Sequence, residues 1–196
     1  MNSPAPPERP AEQVVQVFLT PGTLYCSARP AVITTVLGSC VAVCLVDRQH
    51  RAAGMNHFVL PNNPAGEDSL RYGDVALDRL LDRMGRLGCD LGDLRAKVFG
   101  GAAVLPFGET GETVGTRNVQ IAIDWLRRSG IPVVARRTGG KNGLLVRFDA
   151  GSGRVLVRRI SAAVGADLGG EVPTYDSRLA VEAEDRCGAT RADMSR

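Results

Sequence analysis

The run Cys-Val-Ala-Val-Cys-Leu-Val at positions 40–46 constrains this chain more than any other stretch. A continuous apolar segment of that length, with neither helical nor alternating spacing, fits a β-strand covered on both faces. Such a strand calls for a layered fold, and the flanking sequence supplies the layers. Short β-branched or apolar runs at 14–20, 30–37, 51–61, 96–105, 131–138, 144–150 and 154–160 read as further strands, punctuated by turn signals such as Thr138-Gly139-Gly140 and Gly151-Ser152-Gly153. The period changes over 72–87, where Val75, Leu77, Leu80, Leu81, Met84 and Leu87 recur at helical spacing and Gly88 supplies a stop. A second helix follows Gly115-Thr116-Arg117-Asn118, with Val119, Ala122, Ile123 and Leu126 on one face and Gly130 at its end. About eight strands and two long helices, with several hairpin pairs, argue for layered α/β.

Composition bounds the function classes. Apolar residues at 44% and charged residues at 23% fit a globular core. A net charge of +3 from interspersed basic and acidic residues offers no dedicated nucleic-acid face, and 5% aromatics gives no stacking platform. No apolar run reaches the ~18–20 residues that span a bilayer, and the Pro-rich start lacks a signal core, so the expected location is the cytoplasm and no membrane insertion is expected. The five cysteines form no even framework and no C-x-x-C pair. Residues 1–12 read as a flexible lead, 13–160 as the folded domain and 161–196 as a loosely ordered extension.

Cys40, Cys44, His50 and His57 crowd into one expected hairpin. With the turn centred between Arg48 and Gln49, Cys40 stands directly opposite His57, side chains on one face, at a cross-strand Cβ spacing of ~4.5–5.5 Å. A thiol of pKa ~8.5 is mostly protonated at neutral pH, and an adjacent imidazole can take its proton to give a thiolate–imidazolium pair. Gly38-Ser39 before the cysteine would let a substrate carbonyl approach backbone N–H groups. Other readings stay open: Cys40 as a small core residue, or a metal set of Cys40, Cys44 and His57, which lacks a fourth ligand. Ser39 reads as a turn residue or a helper donor. Asn56 alternates to the face opposite His57 and serves substrate or packing. Arg117 and Asn118 cap a helix or touch substrate, and the glycine pair in Phe99-Gly100-Gly101-Ala102 reads as a tight bend near the active face.

The blocks LGSCVAVCLVD, GMNHFVLP, RYGDVALDRLLDRM, AKVFGGA, VGTRNVQIAIDWLRRSGIPVVA and VRFDAGSGRVLVRRI, in that order from Gln13 to Ile160, resemble the chemoreceptor glutamine deamidase family, CheD. The resemblance implies a layered α/β sandwich of mixed, largely antiparallel sheets with two main helices, similar to bacterial toxin deamidases. It implies a cytoplasmic protein-glutamine glutaminase that needs no cofactor. Its substrates would be selected glutamines of methyl-accepting chemotaxis receptors, and the CheC phosphatase is a further implied partner. The family's nucleophile falls on Cys40, its histidine on His57 and its third catalytic residue on Thr34, with Thr35 adjacent; Ser39 and Asn56 are the expected substrate contacts. Leu144-Leu145 replace a basic pair that many members carry after GGKNG. The competing expectation is an adaptor that binds receptor or CheC with little or no deamidation.

Overall fold

The computed structural model describes residues 14–49, 52–103 and 113–160. The expected N-terminal lead, the expected C-terminal extension and His50 lie outside the described residues. The strands are β1 (Val15–Phe18), β2 (Thr23–Ser27), β3 (Ala31–Leu37), β4 (Val41–Asp47), β5 (Ala53–His57), β6 (Leu94–Gly100), β7 (Val133–Thr138), β8 (Gly143–Asp149) and β9 (Val155–Ile160); the helices are α1 (Gly73–Arg86) and α2 (Val114–Arg128). They build a four-stranded sheet, β1-β3-β8-β9, and a five-stranded sheet, β2-β5-β4-β6-β7. The β1–β3 and β6–β7 pairs are parallel and the others antiparallel. This is the mixed, largely antiparallel sandwich with two main helices that was expected.

The all-apolar run becomes β4, every residue of which is buried. Its Ala42, Cys44 and Val46 face the other sheet and pack with Ile33, Leu37, Val146 and Phe148. Val41, Val43 and Leu45 face the helices and meet Leu77, Leu80, Met84 and Leu126. Each such leucine or phenylalanine stabilises the fold by roughly 1.5–3 kcal/mol relative to exposure. The helices cover only the five-stranded sheet, so β4 lies at the centre of a three-layer stack. In α1 the buried residues are Gly73, Ala76, Leu77, Leu80 and Met84, and Arg83 and Arg86 in the last turn complement the helix dipole. Thr113 caps α2 by accepting from the Thr116 N–H. No helix among the described residues is long and apolar enough to cross a membrane.

Two features depart from the sequence reading. Strand β2, Thr-Leu-Tyr-Cys-Ser, is absent from the strands expected from the sequence; it pairs along the whole of β5, with Thr23 opposite His57. The β4–β5 hairpin is also displaced from the expected register. Cys44 faces Met55, and Val41 faces Phe58 where the expected register would have placed Asn56. The ladder closes at the Asp47 N–H to Ala52 carbonyl bond, so the turn centre lies one residue further along the chain. A one-residue shift of centre changes each partner by two and therefore keeps every side chain on its face.

The chain crosses from one sheet to the other between β3 and β4, over Gly38, Ser39 and Cys40. The end of β6 packs directly on this crossing. A Cβ at Gly100, whose φ is +104°, would lie 2.2 Å from the Cys40 carbonyl oxygen. Gly100→Ala is accordingly expected to destabilise the fold by about 3 kcal/mol, read as a lower urea midpoint at unchanged slope. Gly85→Ala, in α1 with no neighbour within 4 Å of its would-be Cβ, should instead raise stability by about 0.5–1 kcal/mol.

Candidate active site

All three carbonyls of the crossing segment are held from behind. The Ala102 N–H donates to the Gly38 carbonyl at 2.8 Å and the Gly101 N–H to the Cys40 carbonyl at 2.8 Å. The Ser39 carbonyl accepts from Asn118 Nδ2 at 3.0 Å. The same Asn118 amide nitrogen also reaches the Val59 carbonyl at 2.8 Å, which clamps the Cys40 segment to the stretch after His57. The backbone N–H groups of Ser39 and Cys40 have no backbone carbonyl partner among the described residues. A turn with fixed carbonyls and free N–H groups beside a thiol is the arrangement an oxyanion requires.

Packing this tight depends on glycine. Gly101, at φ +71°, brings its carbonyl so near Gly115 on α2 that a Cβ on Gly115 would lie 2.6 Å from it. The sequence showed the glycine pair as a bend; its contact with the cysteine turn is a tertiary fact without a local signal.

His57 lies across the sandwich from β3. Ala53 and Met55 of β5 belong to the inter-sheet core, and His57 continues that alternation. Its Nδ1 lies 2.9 Å from Thr35 Oγ1, and the Thr35 hydroxyl donates to the Leu19 carbonyl at 2.6 Å. A hydroxyl has one hydrogen, and a carbonyl can only accept. Nδ1 must therefore carry the proton and donate to Thr35 Oγ1, with the Leu19 carbonyl as a longer second acceptor at 3.5 Å. That tautomer leaves Nε2 with its lone pair. Nε2 is buried and has no hydrogen-bond partner among the described residues, Cys40 included.

Cys40 and His57 share a face but are not directly opposed. From the Val41–Phe58 bridge, Cys40 comes opposite Val59 and His57 opposite Ala42, which makes the pair diagonal neighbours at a Cα spacing of ~7–8 Å. Burial acts on both groups. It pushes the His57 pKa down from 6.5 to about 4, opposed by the hydrogen bond to the Leu19 carbonyl. It pushes the Cys40 thiol up, opposed by its own N–H and by the charge of Arg71. The thiolate–imidazolium pair expected from sequence is thus disfavoured in the resting protein: desolvation penalises both charged forms, and the stable state is neutral thiol beside neutral imidazole. Cys44 is fully buried in the sandwich core, where desolvation keeps its thiol protonated.

The hydroxyl that meets His57 belongs to Thr35, not to Thr34. Ile33 and Leu37 face the sandwich core, and Thr35 alternates with them. Thr34 points to the outer face of the four-stranded sheet, between Phe18 and Arg147, and its Oγ1 finds no partner among the described residues. Spacing from Cys40 could not settle this, because the chain changes sheets between the two residues and alternation is not carried through the crossing. Asn56, expected as a substrate contact, is not brought to the Cys40–His57 face. It is wholly buried on the helix side, accepting from the Val43 N–H at 2.9 Å and donating to the Ala76 carbonyl at 3.2 Å. Its side chain completes the β4–β5 ladder and holds α1. Ser39 is half-buried and contributes its carbonyl to Asn118 and its free N–H to the turn.

His57 couples folding to pH. Its folded-state pKa lies below its ordinary value, so the unfolded chain binds the extra proton between pH 6.5 and about 4. Stability contributed by the neutral imidazole is full above pH 6.5 and is lost as pH falls through that window, by about 3 kcal/mol in total. Urea unfolding at pH 7 and pH 4.5 should show the native protein losing about 2 kcal/mol more than His57→Gln; equal losses would contradict the buried neutral state.

Comparison with known proteins places the chain. The family model for CheD, described as chemotactic sensory transduction, matches residues 59–159. A Rhodospirillum rubrum protein named a probable chemoreceptor glutamine deamidase CheD is 75% identical over 161 residues, covering 82% of this chain and 92% of that one. A Sulfurimonas denitrificans protein of the same name is 41% identical over 145 residues, covering 73% and 93%. One from Anaeromyxobacter dehalogenans, named CheD 1, is 43% identical over 145 residues, covering 74% and 85%. A crystal structure of a Neisseria meningitidis protein superposes with a TM-score of 0.43 at 10% identity, over 65% of this chain and 64% of that one. The family-model match begins at Val59, just past the hairpin that carries Cys40 and His57, whereas the Rhodospirillum rubrum match spans most of the chain. On the family model and on the relatives alike, this chain belongs to the CheD family.

Proposed function

We propose that this protein is a glutamine deamidase of methyl-accepting chemotaxis receptors, a cytoplasmic protein-glutamine glutaminase that works through a thioester on Cys40. The relatives' shared name supports the substrate and the reaction. The observation that carries the mechanism is the bare Nε2 lone pair of a neutral, buried His57 on the same face as Cys40.

The neutral resting pair shapes the chemistry. Attack and proton transfer occur together: as the Cys40 sulfur bonds to the glutamine side-chain carbonyl carbon, its proton passes to His57 Nε2. The oxyanion so formed is held by the free N–H groups of Ser39 and Cys40. The imidazolium then gives that proton to the departing nitrogen, and ammonia leaves a thioester. Water, deprotonated by His57 Nε2, attacks the thioester and releases glutamate and the Cys40 thiol. Thr35 keeps Nδ1 protonated throughout, the role an orienting residue has in other triads. No step requires a metal or an organic cofactor.

The diagonal offset between Cys40 and His57 means that the two must close on each other when substrate binds, which is common for catalytic hydrogen bonds in free enzymes. The adaptor reading would leave this pair without a task, and the mutants below separate the two.

Deamidation is read as a mass gain of about one dalton at glutamine, where NH2 becomes OH, in a receptor fragment incubated with the protein. Cys40→Ala and His57→Ala are expected to abolish it. Thr35→Val should lower kcat by about 10- to 100-fold with the fold intact, whereas Thr34→Val should retain activity within about twofold because its hydroxyl faces away from the site. Full activity in Cys40→Ala, or no deamidation by the native protein, would favour the adaptor.

The free enzyme's base limb is also specified. Activity should be maintained well below pH 6.5 and fall only as His57 protonates near pH 4. A kcat/KM profile falling to half near pH 6.5 would show an imidazole that is not desolvated.

A further inference from the structure

Arg71 is fixed to both halves of the site by its backbone and its side-chain stem. Its carbonyl accepts from the N–H groups of Val59 and Leu60, each at 2.9 Å. Val59 is the residue that the hairpin register brings opposite Cys40. On the other side, the Gly22 N–H donates to the His57 carbonyl at 2.7 Å, and a Cβ on Gly22 would lie 2.9 Å from Arg71 Cγ. The stem of Arg71 therefore lies on the turn that ties down His57.

Its guanidinium is exposed and makes no hydrogen bond or ion pair among the described residues. Two of the carboxylates near it in sequence are engaged elsewhere: Asp68 pairs with Arg79 at 2.6 Å, and Asp74 accepts from the Asn63 and Val75 N–H groups. The charge of Arg71 reaches Cys40 and favours its thiolate. An arginine anchored along its backbone, with a free fork at the mouth of a reactive site, is suited to bidentate recognition of a carboxylate.

We propose that Arg71 is a specificity-determining residue, whose guanidinium binds an acidic side chain flanking the target glutamine and gives the Cys40 site a positive field. The substrate half of this proposal rests on the deamidase reading; the field does not, since it acts on any anion that approaches the thiol. Glutamines with a carboxylate close by would be preferred over those with neutral neighbours.

The test compares alkylation of Cys40 by iodoacetate, an anion, with that by neutral iodoacetamide, in the full chain at low ionic strength, the site resolved from the other cysteines by peptide mapping. In the native protein the iodoacetate-to-iodoacetamide rate ratio should exceed that of a small free thiol by about fivefold and fall towards it as salt is added. Arg71→Gln should remove the excess and Arg71→Lys should keep most of it. With two glutamine peptides differing only in glutamate or glutamine at one flanking position, Arg71→Gln should raise KM about fivefold for the acidic peptide and leave KM for the neutral peptide unchanged, while any fall in kcat from the lost field is equal for the two. A native ratio equal to the free-thiol value at low salt overturns the proposal without any variant, and so does equal loss of affinity for both peptides. If the peptides bind but are not turned over, the same comparison is made on dissociation constants; absent turnover then counts against the deamidase reading, while the ratio and the peptide preference still decide the role of Arg71.

Discussion

The site depends on how the chain changes sheets. Between β3 and β4 the backbone leaves one layer of the sandwich and enters the other within three residues, and each of those residues has its carbonyl fixed: Gly38 by Ala102, Ser39 by Asn118 and Cys40 by Gly101. With the carbonyls held, the amide hydrogens of Ser39 and Cys40 have no backbone carbonyl partner among the described residues. Only a glycine at 100 allows β6 to approach the Cys40 carbonyl so closely. The fold thus fixes the backbone of Cys40 through contacts remote in sequence, and α2 contributes through a single buried amide that spans Ser39 and Val59.

The two-sheet architecture serves the histidine equally. His57 sits on the five-stranded sheet, while its orienting hydroxyl sits on the four-stranded one. The bond between them crosses the core, so the imidazole ring is held by the packing of both sheets rather than by a loop. The same burial lowers the affinity of His57 for a proton and raises that of Cys40. A resting ion pair is sacrificed, and in exchange the base is unprotonated throughout the physiological range. In the proposed reaction, substrate binding brings thiol and imidazole together, and the positive charge of Arg71 favours the Cys40 thiolate.

Much of this was legible in the sequence where the signal is local. The apolar run over 40–46 gave a doubly covered strand, the helical periodicities gave α1 and α2, and the hairpin register gave Cys40 and His57 a common face that a turn centre misplaced by one residue does not change. What was not legible is tertiary. Thr34 and Thr35 differ only by which layer each faces, and alternation counted from Cys40 fails at a crossing between sheets. Asn56 looked free to meet substrate because nothing local reveals that its amide substitutes for a backbone carbonyl in the β4–β5 ladder. Strand β2 is five residues of mixed character beside a Pro-Gly turn, defined by its pairing with β5 rather than by its own pattern. Asn118 reads in the sequence as a helix cap or a substrate contact, whereas in the fold Thr113 caps α2 and the Asn118 amide spans the Ser39 and Val59 carbonyls; nothing local signals the bonds of the Arg71 carbonyl to Val59 and Leu60.

The proposed proton transfer from Cys40 depends on the tautomer of His57. Nitrogen-15 NMR of the imidazole in the free protein at pH 6 reports it directly. A neutral ring with the proton on Nδ1 and the lone pair on Nε2 is the expected result. A ring charged at that pH, or one protonated on Nε2, would contradict it, since neither could accept the Cys40 proton.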